Sequence, residues 1–324
     1  MARLLLTRLA VLAFILFLAT QLLVPAGSRA ADKVRFSTSF KSAPTYIIIS
    51  SALEKKGAWK ANGIDGEIIS FRGSGMMYKA LTAGSFDMGT ANTIGTAQAA
   101  FRGVPVKIVA DYNAGSYLSI YVPADSPIRS PSDLAGKKLG TSKAGGATHA
   151  YGRFFLKKLG LRNKTKIVAI ASFRARMAAI RSGAIDASIH STLGTADLVA
   201  KKVLRLLVSV ADYLPKEWSF HVVFARESFL NENRAVVRRG TKAVGDAIEA
   251  ARNDRAWVKE ELKTISGFSE EAASKVAQTI FPEPMTGVRV EGLKVIRDFM
   301  LEYGLLRKED VVPLKNIYVA EFAQ

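Results

Sequence analysis

Between residues 33 and 213, short apolar runs alternate with stretches whose apolar positions recur every three or four residues. The runs KVRFSTS (33–39), GEIISF (66–71), FDMGTA (86–91) and VKIVADY (106–112) predict four strands. A second set follows: KKLGTS (137–142), TKIVAIASF (165–173), IDASIH (185–190) and VLRLLVSV (203–210). The periodic stretches between them predict helices. The first helix of each set ends at Gly57 or Gly160 and the second at Gly84 or Gly183, where a left-handed cap is expected. Strands alternating with helices imply βαβ units and mainly parallel sheets covered on both faces.

The two sets are copies of one pattern. ALTAGSFDMGTANTIGTA, from Ala80, aligns with AIRSGAIDASIHSTLGTA, from Ala179, and Ser70-Phe71-Arg72 recurs as Ser172-Phe173-Arg174. Upstream, Thr38-Ser39 matches Thr141-Ser142, and Thr45 matches Thr148. Repetition at this spacing predicts two lobes of one α/β architecture. NAGSYLSIYVPADS and WSFHVVFARES leave the first and second copies and are expected to cross between lobes. Beyond 229 the apolar period is helical, broken once at Pro282 and Pro284. The expected division is a leader at 1–30, a discontinuous lobe 1 at 31–113 and 222–324, and lobe 2 at 114–221.

Residues 1–30 have a separate character. Arg3 and Arg8 precede an uncharged run from Leu9 to Val24, and Ser28 and Ala30 occupy the small-residue positions of a signal-peptidase site. A cleavable signal peptide, with periplasmic localisation, is the expectation; an uncleaved anchor is the competing reading. Cleavage leaves 43 Lys+Arg against 28 Asp+Glu, a net charge of +15. The 324 residues contain no Cys, so disulfides, Cys-ligated metals and thiol nucleophiles are excluded. The basic residues are scattered and not interleaved with aromatics, which disfavours nucleic acid. A solvated basic surface and steering of an anionic solute both remain open.

No G-x-S-x-G, S-x-x-K, H-E-x-x-H, Walker A or G-x-G-x-x-G motif occurs. Two loops stand out instead. SFKSAPTY (39–46) and TSKAGGATHAYG (141–152) each join a strand to a helix, presenting backbone N–H groups and the positive helix end. Thr45, Tyr46, Thr148 and His149 can donate hydrogen bonds there, and ordinary N-capping is the alternative. Arg72 and Arg174 follow equivalent strands, where a guanidinium either clamps an anion or lies on the surface. Asp87 and Asp186 are expected to hold turn backbone. His149, His190 and Asp186 suggest a metal site only weakly, and His221 reads as a satisfied core or hinge residue.

The order S-x-x-x-x-A-P-x-Y, A-L-x-A-G-x-x-D-x-G, S-P-x-D-L-x-G-K-x-x-G and A-I-x-S-G-x-x-D-A resembles one family: periplasmic substrate-binding proteins of ABC importers of the nitrate/sulfonate/taurine and thiamine-precursor type. The likeness runs from Val34 to about Phe299. It implies a two-lobed, type II-like periplasmic-binding-protein fold with two crossover segments, closing on a small solute and docking on a permease with its ATPase. By position the implied ligand contacts are Thr45, Tyr46, Ser74, Asn92, Thr148, His149, Arg174 and Ser191; the loops add Ser42, Arg72 and Gly146. The resulting expectation is a monomeric receptor for an anionic organic solute, without enzymatic activity, metal or cofactor. Two alternatives stand: an exported enzyme using His149 and His190 as acid/base groups, and a solute sensor for a membrane receptor.

Overall fold

The computed structural model describes residues 31–38, 43–71, 74–114, 116–142, 146–170 and 172–322; the expected signal peptide lies outside them. The first sheet contains β1 (Asp32–Thr38), β2 (Ile64–Ser70), β3 (Met88–Asn92), β4 (Val106–Ala114) and β10 (Ser219–Arg226), in the order β2-β1-β3-β10-β4. The second contains β5 (Leu118–Pro123), β6 (Lys138–Thr141), β7 (Lys166–Ala169), β8 (Ala187–Ser191) and β9 (Leu204–Ser209), in the order β7-β6-β8-β5-β9. The orders are identical once each crossing strand is given the fourth place. β5 follows the first copy but joins the second sheet, and β10 follows the second copy but joins the first.

The parallel expectation holds for the repeated strands. β1 pairs in parallel with β3, Phe36 opposite Met88, and β6 does so with β7 and β8. Each crossing strand is antiparallel to both its neighbours. The reason is geometric: a chain leaving the carboxyl end of one sheet enters the next from that same end and must run back down it.

Helices cover the sheets. The first copy supplies α1 (Pro44–Lys55), α2 (Ala58–Ala61), α3 (Ser74–Thr82) and α4 (Thr93–Phe101). The second supplies α5 (Ala147–Lys158), α6 (Phe173–Arg181) and α7 (Thr192–Ala200). Gly57, Gly84, Gly160 and Gly183 all have φ near 70°, the left-handed geometry that an L side chain resists. The C-terminal region departs from a single break. It forms α8 (Glu227–Glu232), α9 (Arg234–Asn253), α10 (Arg255–Ser266), α11 (Glu270–Thr279) and α12 (Val290–Glu302). Polar caps divide it: Asp254 accepts from Trp257 N (3.0 Å) and Ser269 from Ala272 N (3.4 Å).

One apolar cluster runs through both sheets, joining Ile108, Val222 and Phe224 of the first to Ile120, Leu139 and Ile189 of the second. Each such buried side chain stabilises the fold by roughly 1.5–3 kcal/mol. α12 lies on this cluster with its Gly292 hard against the second crossing. A Cβ there would stand 2.5 Å from the Glu217 carbonyl oxygen.

Asp87 and Asp186 are structural, but they hold a neighbouring strand rather than their own turn. Asp87 accepts from Arg35 N (3.0 Å), the Arg35 guanidinium (2.8 and 3.1 Å) and Arg226 Nη2 (3.0 Å). Burial raises its pKa, but these bonds outweigh burial and hold it below the usual carboxylate range. Asp186 accepts from Lys138 N at 2.8 Å, the same clasp with one bond.

Candidate functional site

In α/β sheets of this kind ligands bind beyond the carboxyl ends of the strands. β4 ends at Ala114 and β5 begins at Leu118, opposite Ser191 at the end of β8. Ser119 follows Asn113 by six positions, so the chain holds these two strand ends within about 20 Å of each other.

In the first sheet a polar row crosses three strands: Asn92 on β3, His221 on β10 and Asn113 on β4 are neighbours in register. Aromatic rings surround it. His221 stacks on Tyr112 (centroids 5.3 Å apart, 8° between planes), meets the ring of Tyr46 edge-on at 5.5 Å, and touches Phe220. Burial pushes the His221 pKa down to about 3, so its imidazole is neutral. Its Nδ1 and both amide atoms of Asn113 are buried with no hydrogen-bond partner among the described residues. His221 is thus a core residue, as expected, but it is not satisfied.

The second sheet carries a row of His190 on β8, Ser119 on β5 and Ser209 on β9. His190 packs edge-on against Phe173 at 4.9 Å. Burial, reinforced by the Arg176 charge, pushes its pKa down to about 3. His190 Nε2, Ser119 Oγ and Ser142 Oγ are likewise buried and unpartnered among the described residues. Asp186, at the opposite end of β8, is engaged with Lys138 and does not approach this row. Among the described residues no three His, Asp or Glu gather as metal ligands.

The sequence candidates fall unevenly around these rows. Thr45 and Tyr46 are buried in the first turn of α1, which begins at Ala43 without a side-chain cap. Gly146 likewise starts α5 with no side-chain cap. Asn92 caps α4 through Ile94 N (3.1 Å) and donates to the Phe220 carbonyl (2.9 Å), so its amide already has protein partners. Thr148 Oγ1 accepts from Ser142 N at 2.9 Å, and His149 Nδ1 lies 3.1 Å from Thr141 Oγ1. Ser191 precedes α7 with its hydroxyl unused as a cap. Ser74 opens α3 beside a surface groove shared with α4. Ser42 and Arg72 lie outside the described residues.

Arg174 is placed differently from expectation. β7 stops at Ala169 and Ser172 caps α6, so Arg174 is an exposed helical residue rather than one just past a strand. The buried guanidinium is that of Arg176, whose Nη1 donates to the Ile170 carbonyl at 2.8 Å. Sequence reasoning passed over Arg176, Asn113 and Ser119. For Arg176 a signal existed, because it precedes Ile180 by four residues and shares that buried helical face.

Residues 45–256 match the family model described as NMT1/THI5 like. No curated protein matches the chain in sequence. Solved structures share the fold. The alkanesulfonate-binding protein SsuA of Xanthomonas axonopodis pv. citri, bound to MOPS, superposes with a TM-score of 0.71 at 19% identity, covering 92% of this chain and 99% of its own. The periplasmic aliphatic sulphonate binding protein SsuA of Escherichia coli gives 0.74 at 18%, covering 89% and 91%. The desulfurization enzyme DSZB gives 0.65 at 17%, covering 90% and 97%. The periplasmic-binding-protein architecture therefore also serves an enzyme.

Proposed function

Because the chain belongs to the NMT1/THI5-like family, we propose that it is an exported solute receptor. It captures one small anionic organic molecule between its two sheet units and delivers it to an ABC importer. The observation that carries this reading is the set of buried polar atoms without hydrogen-bond partners among the described residues at both groups of strand ends: Asn113, Ser119, Ser142, His190 and His221. A buried donor or acceptor left unpaired costs about 1–3 kcal/mol, and such groups in a native protein call for a partner. A solute bridging both rows supplies that partner, and by touching both units it favours a closed arrangement. The uncapped starts of α1 and α5 and the Arg176 charge support an anion. Thr45, Tyr46, Thr148, His149 and Ser191 complete the proposed lining among the described residues.

The sulfonate-binding neighbours make sulfonates the first compounds to try, beside nitrate, carboxylates and pyrimidines. In a thermal-shift screen, a true solute at a hundredfold excess over its Kd adds about 2.7 kcal/mol of stability. Asn113→Leu should remove that shift while leaving the ligand-free melting point within a few degrees. A shift unchanged by Asn113→Leu would overturn the assignment of the site. The same mixtures distinguish receptor from enzyme: the compound is recovered unchanged from a receptor.

A further inference from the structure

Away from the strand ends, α5 and α12 enclose a recessed trough of about 460 Å³. Its floor is aromatic: Phe299 of α12 meets Phe154 of α5 at 5.7 Å and Trp218 at 5.0 Å, centroid to centroid. The Lys158 ammonium stands 5.7 Å from the Phe154 ring centre at the edge. A second cavity of about 150 Å³ shares Lys157, Glu302 and Tyr303 with the trough and is lined also by Arg153 and Arg162. There three cations meet one carboxylate. Lys157 pairs with Glu302. Arg153 donates to the Tyr303 carbonyl at 3.1 Å, a neutral partner. Arg162 is exposed and makes no hydrogen bond or ion pair among the described residues. Arg153 and Arg162 thus have no carboxylate partner among the described residues, beside a trough whose rim carries Lys158 and Asp298 over its aromatic floor.

We propose that this trough is a second ligand site, distinct from the strand ends, for an amphipathic anion. The alkyl or aryl body lies along Phe154, Phe299 and the Trp218 side, and the carboxylate or sulfonate head sits between Arg153 and Arg162. Neither half suffices alone. A bare anion gains no apolar contact along the trough, and an amphiphilic cation is repelled by the head pocket. Because α12 packs on α4 of the first sheet and on Phe154 of the second, an occupant rests against the helix the two sheets share.

Calorimetric titration of the full chain with decanoate tests the site, with acetate and decyltrimethylammonium as controls. Decanoate should bind at one site, and both controls at least tenfold more weakly. Arg162→Glu, which breaks no bond in the fold, should weaken decanoate by tenfold or more. Asn113→Leu, at the strand ends, should leave decanoate affinity within twofold. No decanoate binding, a loss under tenfold in Arg162→Glu, or abolition by Asn113→Leu would each overturn the proposal. The last result would move decanoate to the strand ends and leave the receptor reading intact.

Discussion

The two sheets share a strand order and end in different chemistry. The first row, Asn92–His221–Asn113, sits among Tyr46, Tyr112 and Phe220, with no cation among them. The second row, His190–Ser119–Ser209, is thinner in rings and lies beside the buried Arg176. Net charge divides the same way. Residues 114–221 carry 17 Lys+Arg against six Asp+Glu, whereas residues 31–113 and 222–324 together carry 26 against 22. A duplicated frame has thus been specialised: one half offers aromatic walls and neutral amides, the other positive charge. Under the proposed function, a solute held between them would meet a shape-selecting side and a charge-selecting side, and long-range attraction would come mainly from the second.

Nowhere is the asymmetry larger than at the paired aspartates. Asp87 gathers four bonds from two arginines and a backbone N–H, while Asp186 accepts one. Asp87→Ala should cost roughly 3 kcal/mol by urea unfolding, because it leaves cationic donors facing a buried gap. Asp186→Ala should cost about 1 kcal/mol, the ordinary value of one hydrogen bond. Equal losses would mean that the two clasps are equivalent and that the extra arginine contacts add nothing.

The buried histidines, one in each row, set a pH dependence of intermediate size. Unfolded, each takes up a proton below about pH 6.5; folded, neither does until about 3. Stability therefore falls as pH drops through this window, by about 2 kcal/mol per histidine at pH 5. Asp111 acts oppositely. Burial raises its pKa from 3.8 to about 7, against the opposing effects of Ser219 and Arg289, so the folded chain keeps a proton that the unfolded chain releases. That contribution is lost as pH rises from about 4 to 7. His221→Phe should flatten the difference between urea midpoints at pH 5 and pH 7, and Asp111→Asn should steepen it. Identical pH slopes in all three proteins would show that these groups titrate normally in the fold.

What the sequence made legible was the frame. Periodicity and the offset copies locate the repeated strands, the four glycine turns and the crossings, since strand and helix periods are local and each copy reads the other. The sides of the site were harder to see. Asn113 and Ser119 become partners of histidines only through antiparallel pairing with strands from the other copy, a long-range register that no local pattern encodes. Arg174 attracted attention because it matches Arg72 in the repeat, yet the earlier helix start at Phe173 leaves Arg174 outward and Arg176 inward. Asn92 matched its expected place, but its amide already has backbone partners, which only the fold reveals.

The smallest expected effect compares the two crossings themselves. In the first, Tyr117 reaches the C-terminal region: its hydroxyl accepts from Phe281 N at 3.1 Å, while its carbonyl accepts from Thr192 N and Oγ1 of α7. Burial pushes the phenol up to about 12, so it remains a neutral partner at any working pH. In the second crossing, Trp218 Nε1 donates to Tyr151 Oη at 3.1 Å. Each bond fastens a crossing by one neutral contact, and each loses its acceptor when tyrosine becomes phenylalanine. The positions differ in one respect. Phe281 has φ of +50°, a strained conformation for a non-glycine residue, and the Tyr117 bond helps hold it. Tyr117→Phe should therefore cost about 1–2 kcal/mol and Tyr151→Phe about 1 kcal/mol by urea unfolding. Equal losses in the two variants would show that the strain at Phe281 adds nothing to the first crossing.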